Sequence, residues 1–203
     1  MRIDQHTDVL LVIDVQNDFC PGGALAVGGG DRVVPVINRL AQDFRHVVLT
    51  QDWHPVHHSS FASSHPGHQP FTQIEMPYGP QTLWPDHCII GTKGAELRGD
   101  LDIPHAAMLI RKGFRRPIDS YSAFFENDHK TPTGLGGCLK ERGFKRVVCV
   151  GLAFDYCVRY SAEDAKALGF DVTVIEDACR AIDLGGTAQA TREAFTAQGI
   201  ALA

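Results

Sequence analysis

Short apolar runs alternate along the chain with segments of helical periodicity. Continuous apolar runs of about four to eight residues are typical of strands that are buried on both faces of a parallel sheet. Segments whose apolar residues recur every three or four positions are typical of amphipathic helices. We predict strands at 8–15, 46–50, 108–112, 146–151, 171–176 and 200–202, and helices at 31–44, 156–168 and 188–197.

This alternation predicts an α/β protein of three layers, in which helices cover both faces of a six-stranded, mostly parallel, Rossmann-like sheet. The 203 residues suffice for one domain with a sizeable core, and no repeat or linker divides them, so we expect a single domain over 1–203. Residues 51–104 interrupt the pattern with a long loop rich in His, Pro, Ser and Gly. Loops of that length inside a compact domain are usually functional.

Composition and charge narrow the class of protein. The net charge of −5 disfavours a nucleic-acid-binding protein, which is normally basic. No apolar stretch approaches the roughly 20 residues of a membrane span, and the N-terminal segment is predicted as a first strand and not as a signal peptide. We therefore expect a cytoplasmic protein that does not bind a membrane. The spacing of the six cysteines is irregular, which favours reduced thiols over disulfides.

Three of the apolar runs lead to a reactive side chain: Asp14, Lys112 and Cys157. Ligands of open α/β sheets bind in the crevice at the carboxyl ends of the strands, where these residues are predicted to lie. Cys157 is predicted at the start of a helix, where unpaired N–H groups favour a thiolate and can hold an oxyanion. Each residue alone has a simpler interpretation: a buried Cys is usually a small hydrophobe, an Asp can cap a turn, and a Lys can extend to solvent. Together they predict a nucleophile with a general base and a cation beside it.

A second group of reactive side chains begins the long loop. Asp52 and His54 are two positions apart, so in an extended segment their side chains point to the same side and can bind one metal ion. Two His and one carboxylate leave open coordination positions for water or substrate. A His-rich exposed loop that binds nothing is the alternative on spacing alone. Candidates for the third ligand are His57, His58, His65, His68 and His87.

Five separated segments of the chain resemble one enzyme family. They are VIDVQNDFCPGGALAV, TQDWHPVHHSSFA, LWPDHCIIGTKGAEL, RKGFRRPIDSYSAFF and VGLAFDYCVRYSAEDA. In this order, from about residue 11 to residue 177, they are similar to the nicotinamidases, also called pyrazinamidases, of the isochorismatase-like cysteine hydrolases. Relatives that act on isochorismate or carbamoyl compounds generally lack the DWH and PDHC pair that is present here. The resemblance therefore implies a nicotinamide amidohydrolase of NAD salvage that also hydrolyses pyrazinamide.

The resemblance also assigns roles to individual residues. It implies a catalytic triad of Asp14, Lys112 and Cys157, and an oxyanion site made by the backbone N–H groups of Ala153 and Cys157, next to a cis peptide between Leu152 and Ala153. It implies metal ligands Asp52, His54 and His87, with His58 as a second-choice ligand. The pocket around a flat aromatic ring would be lined by Phe19, Leu25, Trp84, Tyr121 and Tyr156.

The remaining expectations concern cofactors, partners and rival functions. One divalent metal ion is expected, with zinc foremost and iron or manganese as alternatives. The partner is a small-molecule substrate, and the sequence leaves homo-oligomerisation open. Rival interpretations are an amidase or ureido hydrolase with the same triad, a non-haem iron oxygenase built on the 2-His-1-carboxylate set, and a binding protein that has kept the fold.

Overall fold

The computed structural model describes residues 1–203 and contains eight strands and four α-helices. The strands are β1 (Asp8–Ile13), β2 (Val47–Asp52), β3 (Gln73–Met76), β4 (Gly79–Thr82), β5 (Met108–Lys112), β6 (Arg146–Leu152), β7 (Asp171–Arg180) and β8 (Ala201–Leu202). The helices are α1 (Val33–Ala41), α2 (Leu135–Glu141), α3 (Arg159–Ala167) and α4 (Thr187–Gln198). No helix in the structure combines the length and the apolar character that crossing a membrane requires.

Six of the strands form one sheet in the order β5-β2-β1-β6-β7-β8, and every neighbouring pair is parallel. The predicted six-stranded α/β sheet is thereby confirmed. From β1 the chain continues to β2 and then to β5 on one side of β1, and it then returns to β6 on the other side of β1. The strand order therefore reverses around β1 and β6, and the carboxyl ends of such neighbouring strands form the crevice in which α/β proteins bind ligands.

Two apolar cores cover the two faces of the sheet, because successive side chains of a strand point to opposite faces. In β1, Val9 and Leu11 pack into the core beneath α2, α3 and α4, whereas Leu10 and Val12 pack into the core beneath α1. All six residues of β1 are buried. This burial on both faces explains why β1 reads as an unbroken apolar run, and it yields the three layers that the sequence predicted.

Several element boundaries differ from the prediction. The helix expected at 156–168 is divided into a π-helical turn at Phe154–Val158 followed by α3. The strand expected at 171–176 continues to Arg180. Its pairing with β6 shifts register between Cys149 and Gly151, after which Gly151 pairs with Cys179 and Leu152 with Arg180. Helix α2 was not predicted, since its sequence LGGCLKE carries two helix-disfavouring glycines.

The long segment 51–104 is ordered by local pairing. It contains an antiparallel hairpin formed by β3 and β4, and short 3-10 turns at Ala62–Ser64 and Lys93–Ala95. Isolated bridges join His54 to Ile89 and Phe61 to Trp84. These bridges bring the two ends of the segment together beside the carboxyl end of β2, which places its histidines at the crevice.

Candidate active site

Four reactive side chains meet at the carboxyl ends of four adjacent strands. Asp14 follows β1 directly, Asp52 is the last residue of β2, Lys112 is the last residue of β5, and Cys157 lies in the π-helical turn after β6. Because β5, β2, β1 and β6 are consecutive in the sheet, residues up to 143 positions apart in sequence converge on one point. The structure therefore brings together the three residues that the sequence singled out and adds Asp52 to them.

Lys112 is the centre of this group and is almost completely buried, with 1% of its surface exposed. Its ammonium donates hydrogen bonds to Asp52 Oδ1 at 2.5 Å, to the Ser120 carbonyl at 2.9 Å and to Cys157 Sγ at 3.4 Å. Asp14 Oδ2 forms an ion pair with it at 2.8 Å. Burial alone would lower the pKa of Lys112, but the two carboxylates raise it well above its usual value, so the side chain remains a cation.

Asp14 offers the free lone pair that a general base needs. The Thr50 hydroxyl donates to Asp14 Oδ1 at 2.6 Å, and the backbone N–H of Asp14 donates to the same hydroxyl. Oδ2 has no aligned hydrogen bond although Lys112 is close, so it keeps an acceptor site in a fully buried position. Burial raises the pKa of Asp14 to about 6 against the opposing effect of the Lys112 ammonium. The carboxylate is therefore ionised at neutral pH and close to the pKa that proton transfer favours.

Cys157 is buried with 6% of its surface exposed and stays a thiol until a base takes its proton. Burial raises the pKa of the Cys157 thiol well above its usual value, while Lys112 acts in the opposite direction. The sequence-based expectation that the helix N-terminus favours a thiolate is wrong here, because desolvation and two nearby carboxylates outweigh it. The nearby Asp14 carboxylate also raises the pKa of the thiol and so favours its protonated form. A proton transfer from sulfur to Asp14 must therefore accompany nucleophilic attack.

Asp52, His54 and His87 form a compact set of buried ligands. Their ligand atoms lie within 4.8 Å of one another, and Asp52 Oδ2 is 3.7 Å from His54 Nε2 and 4.0 Å from His87 Nε2. His54 Nδ1 donates to the Gly113 carbonyl at 2.8 Å, and His87 Nδ1 donates to the Pro85 carbonyl at 2.8 Å. Since those carbonyls only accept, both Nε2 atoms present lone pairs toward Asp52 Oδ2. With both imidazoles neutral, these three acceptors face one another and form a suitable site for a divalent cation.

The charge states of Asp52 and His87 are also suited to a cation, whereas the Asp52 carboxylate raises the pKa of His54 against the opposing effect of burial, so a bound cation would displace the proton of that ring. Burial would raise the pKa of Asp52, but the Lys112 ammonium and the adjacent imidazoles hold it below its usual range. Burial lowers the pKa of His87 to about 4, so its imidazole is neutral at neutral pH. Metal ligands must be deprotonated carboxylates and neutral imidazoles, and these two residues are already in that state.

The other histidines of the loop are placed differently. His58 is buried and close to His54 and Asp119, but Nδ1 lies 2.8 Å from the Ser60 hydroxyl, and Nε2 lies 3.1 Å from two backbone carbonyls. Both of its nitrogens are thus occupied, which leaves no lone pair for a metal ion. His65 Nε2 lies against the Ser59 carbonyl, and His57 and His68 are exposed. Of the five candidates, only His87 presents a free nitrogen to Asp52 and His54.

Gly113 fixes the orientation of His54. Its φ of +66° lies in the left-handed region, and an added Cβ would lie 2.4 Å from Cε1 of the His54 ring. Only glycine therefore lets the backbone approach the imidazole closely enough for the Gly113 carbonyl to accept the Nδ1 hydrogen. The KGF sequence at the end of β5 thus supplies the Lys112 ammonium and also the Gly113 carbonyl that orients His54.

One pocket lies over these groups and encloses roughly 330 Å³ between its walls, including its opening toward solvent. It is lined by Cys157 and Ala153 together with all three residues of the metal site, Asp52, His54 and His87. All five side chains that the resemblance assigned to the ring pocket are in its wall: Phe19, Leu25, Trp84, Tyr121 and Tyr156. The Leu152–Ala153 peptide next to it is cis, as the resemblance implied.

Edge-to-face aromatic contacts and one polar network hold the wall of this pocket. The Trp84 and Tyr156 rings are 4.8 Å apart, and Trp84 Nε1 donates to the Tyr121 hydroxyl at 3.1 Å. Gln81 is completely buried and donates both to that hydroxyl and to Asp119 Oδ2, at 3.0 and 2.8 Å. The ring faces that line the pocket are therefore fixed before any ligand binds.

Sequence reasoning missed two residues of the pocket wall, Asp119 and Ile182. Asp119 lies in the RKGFRRPIDSYSAFF segment, but its distance from Lys112 in sequence gave no sign that its carboxylate reaches the crevice. Ile182 follows β7, which was predicted to end earlier, so the residues after it were not expected near Cys157. Thr50 orients Asp14, but the sequence indicated only that it ends a buried strand.

Comparison with known proteins agrees with this geometry. The family profile of the isochorismatase domain matches residues 8–202. A nicotinamidase of Acinetobacter baylyi is 55% identical over 201 residues, which cover 98% of this chain and 94% of that protein.

Solved structures show the same similarity. A nicotinamidase and pyrazinamidase of Acinetobacter baumanii superposes with a TM-score of 0.97 at 54% identity, covering 99% of this chain and 97% of that one. PnC1 of L. infantum in complex with nicotinate has a TM-score of 0.87 at 38% identity, with 100% and 95% covered. A Pyrococcus horikoshii pyrazinamidase in complex with zinc has a TM-score of 0.79 at 34% identity, with 97% and 98% covered. The chain belongs to the isochorismatase family.

Proposed function

We propose that this protein is an amidohydrolase that converts nicotinamide to nicotinate and ammonia through a thioester on Cys157, and that it also hydrolyses pyrazinamide. The observation that carries the proposal is the position of Lys112, which is ion-paired with Asp14 and donates to Cys157 Sγ, while Cys157 itself lines an aromatic pocket. An isochorismatase-family protein with 55% identity to a nicotinamidase and with this pocket has the groups that the reaction needs.

The first half of the reaction forms the thioester. Asp14 Oδ2, which has a free lone pair, takes the thiol proton as Cys157 Sγ attacks the amide carbon. The carbonyl oxygen becomes an oxyanion, which the backbone N–H groups of Ala153 and Cys157 stabilise, while the Lys112 ammonium stabilises the sulfur. Protonated Asp14 then gives its proton to the amide nitrogen, the C–N bond breaks, and ammonia leaves.

The second half hydrolyses the thioester. Ionised Asp14 removes a proton from a water molecule, which attacks the acyl carbon and regenerates the oxyanion. Collapse of this intermediate breaks the C–S bond, returns the proton to sulfur and releases the pyridine carboxylic acid. The same carboxylate serves as base, acid and base again, and a pKa of about 6 lets it exchange protons readily at neutral pH.

A metal ion held beside the pocket would act on the pyridine ring and not on the scissile bond. Asp52, His54 and His87 would hold one divalent ion, and we propose zinc, because two imidazoles and a carboxylate are borderline ligands that suit it. When bound, the ion supplies a Lewis acid that can accept a ring nitrogen and polarise the ring. His54 and His87 line the pocket themselves, so a ring held between Phe19 and Trp84 lies next to this site.

The experiment that tests the proposal is ammonia release from nicotinamide by the metal-loaded enzyme and by Cys157→Ala. We expect turnover by the native enzyme and a loss of about three orders of magnitude or more in the variant, since removed nucleophiles typically cost that much. Binding of nicotinamide to the variant should be retained, because most of the pocket wall is made by side chains other than that of Cys157. Residual activity above about one per cent of native would exclude a covalent thioester.

A panel of substrates separates the proposal from its rivals. An amidase or ureido hydrolase with the same triad would turn over small ureido acids faster than nicotinamide or pyrazinamide. A non-haem iron oxygenase would consume oxygen, but it would leave the buried Lys112 and Cys157 without a role. A binding protein would release no ammonia from any of these compounds.

We also propose a cytoplasmic location, since the chemistry requires a reduced thiol. All six cysteines are unpaired, and Cys157 would be inactivated by a disulfide. A reducing compartment keeps such thiols free. Labelling of the thiols in freshly lysed cells tests this, because an oxidising compartment would leave Cys157 blocked.

A further inference from the structure

The loop between β7 and α4 reaches the active-site pocket through one side chain. It comprises residues 181–186, and Ile182 lines the same pocket as Cys157 and Ala153. Ile is branched at Cβ and has few rotamers, so the position of its backbone determines where its side chain meets a bound ring. Whatever fixes this loop therefore fixes one wall of the pocket.

The carboxylate of Asp155 is the partner that fastens the loop. Asp155 is buried, with 2% of its surface exposed. Oδ1 accepts from the backbone N–H of Ile182 at 3.0 Å, and Oδ2 accepts from the backbone N–H of Asp183 at 2.8 Å. The Thr187 hydroxyl, at the start of α4, also donates to Oδ2 at 2.5 Å. All three bonds end on one charged acceptor, which makes them stronger than bonds between neutral groups.

The loop has no other hydrogen-bonded attachment to the sheet. Among residues 182–186, the bonds that leave the loop and α4 all end on Asp155, since the Asp183 carboxylate turns back to Ala188 of α4. The backbone is unusual here, with left-handed φ values at Asp183, Gly185 and Gly186. Apart from one 3-10 turn at Leu184–Gly186 and the packing of Ile182 and Leu184 on the core, the Asp155 carboxylate is what holds this segment in place.

Asp155 also belongs to the turn that carries the nucleophile. It lies two residues before Cys157 in the π-helical turn Phe154–Val158. One carboxylate thus connects the turn that holds the reactive sulfur to the loop that holds Ile182. These three hydrogen bonds therefore join the sulfur-bearing turn to this wall of the pocket, in addition to the packing of Ile182 and Leu184 against the apolar core.

We propose that Asp155 is a positioning residue that sets substrate specificity by fixing Ile182 relative to Cys157. The inference rests on the proposed amidase function. Loosening the loop withdraws the Ile182 wall, which weakens binding of nicotinamide and admits rings that carry an additional methyl group.

The test compares Asp155→Asn, Ile182→Ala and the double variant with the native enzyme, all metal-loaded and full length. The kinetic constants are measured for nicotinamide and for a ring-methylated nicotinamide. For Asp155→Asn we expect KM for nicotinamide to rise about tenfold while kcat changes less than about threefold, because ground-state positioning is lost and the triad is intact. The preference for nicotinamide over the methylated amide should fall by about tenfold, the scale of one methyl group in a pocket.

The double variant separates action through Ile182 from an effect on the Cys157 turn. If Asp155 acts through Ile182, the double variant should have the same specificity as Ile182→Ala, within about twofold. A double variant whose loss is the product of the two single losses would overturn the proposal. A fall in melting temperature with unchanged specificity would also overturn it, since that result assigns Asp155 a purely structural role.

Thr187→Val provides a second variant that leaves the turn of Cys157 untouched. It removes one of the three donors, so its specificity should shift in the same direction as that of Asp155→Asn, by a smaller factor. If Asp155→Asn does not fold, an unchanged specificity of Thr187→Val decides against the proposal. Turnover of nicotinamide by the native enzyme tests the amidase function separately, so the two failures are distinguishable.

Discussion

Replacing Lys112 by Met removes the only positive side chain between two buried carboxylates. The Lys112 ammonium lies 2.8 Å from Asp14 Oδ2, with neither side chain exposed to solvent. At an effective dielectric constant of about 20, a unit charge pair at this separation interacts with about 6 kcal/mol. Because one pKa unit corresponds to about 1.4 kcal/mol, loss of the cation raises the pKa of Asp14 by up to about four units.

The consequence for catalysis follows from the starting pKa of Asp14, which burial raises to about 6. In Lys112→Met the carboxyl group would be protonated at neutral pH and could not take the proton of Cys157. The ionised fraction, and with it kcat/KM, should fall about a thousandfold at neutral pH. The acid limb of the pH profile should move to alkaline pH by more than about two units.

Ammonia release from nicotinamide, measured across the pH range for the native enzyme and both Lys112 variants, checks this reasoning. Lys112→Arg is the matched control because it keeps the charge, and its acid limb should stay close to that of the native enzyme. A Lys112→Met enzyme whose activity is within about tenfold of native, with an unmoved acid limb, would refute the role assigned to the cation.

Three further predictions concern the pH profile and the metal site. In the native enzyme kcat/KM should fall below about pH 6, because Asp14 has a raised pKa and is protonated there. It should not rise further above about pH 8, since the reaction needs no free thiolate. A value of kcat/KM that climbs through about pH 9 would argue against Asp14 as the base. A strong chelator should abolish activity, and zinc, iron or manganese should restore it; full activity without bound metal removes the ligand assignment. Gly113→Ala should lower metal affinity about tenfold or more in a chelator competition, because the new Cβ displaces the His54 ring. The control is Gly99→Ala, which adds a methyl group in open space and should have the metal affinity of the native enzyme.

The sequence predicted the triad because each member ends a strongly apolar run. Apolar runs such as those before Asp14 and Lys112 predict buried parallel strands, and parallel strands gather their carboxyl ends at one edge. The carboxyl ends of parallel strands share one edge whatever the strand order. The order nevertheless decides the chemistry, since β5, β2, β1 and β6 are neighbours and so bring Lys112 into contact with Asp52 as well as Asp14.

Other features of the site depend on long-range packing that no local pattern contains. His87 could be chosen among five histidines only through the resemblance, because its free Nε2 depends on a bond between Nδ1 and the Pro85 carbonyl. The thiol pKa was predicted in the wrong direction, since a helix N-terminus is visible in sequence but complete burial is not. Ile182 and Asp155 meet through bonds that span 27 positions in sequence.

The central claim is that Cys157 becomes covalently acylated during turnover. Rapid quenching of the metal-loaded enzyme with nicotinamide, followed by proteolysis and mass spectrometry, tests it most directly. The peptide containing Cys157 should gain the mass of one nicotinoyl group, and this adduct should be absent from Cys157→Ala. Steady release of ammonia with no acyl group on Cys157 at any quench time, or with the acyl group on another residue, would contradict the account.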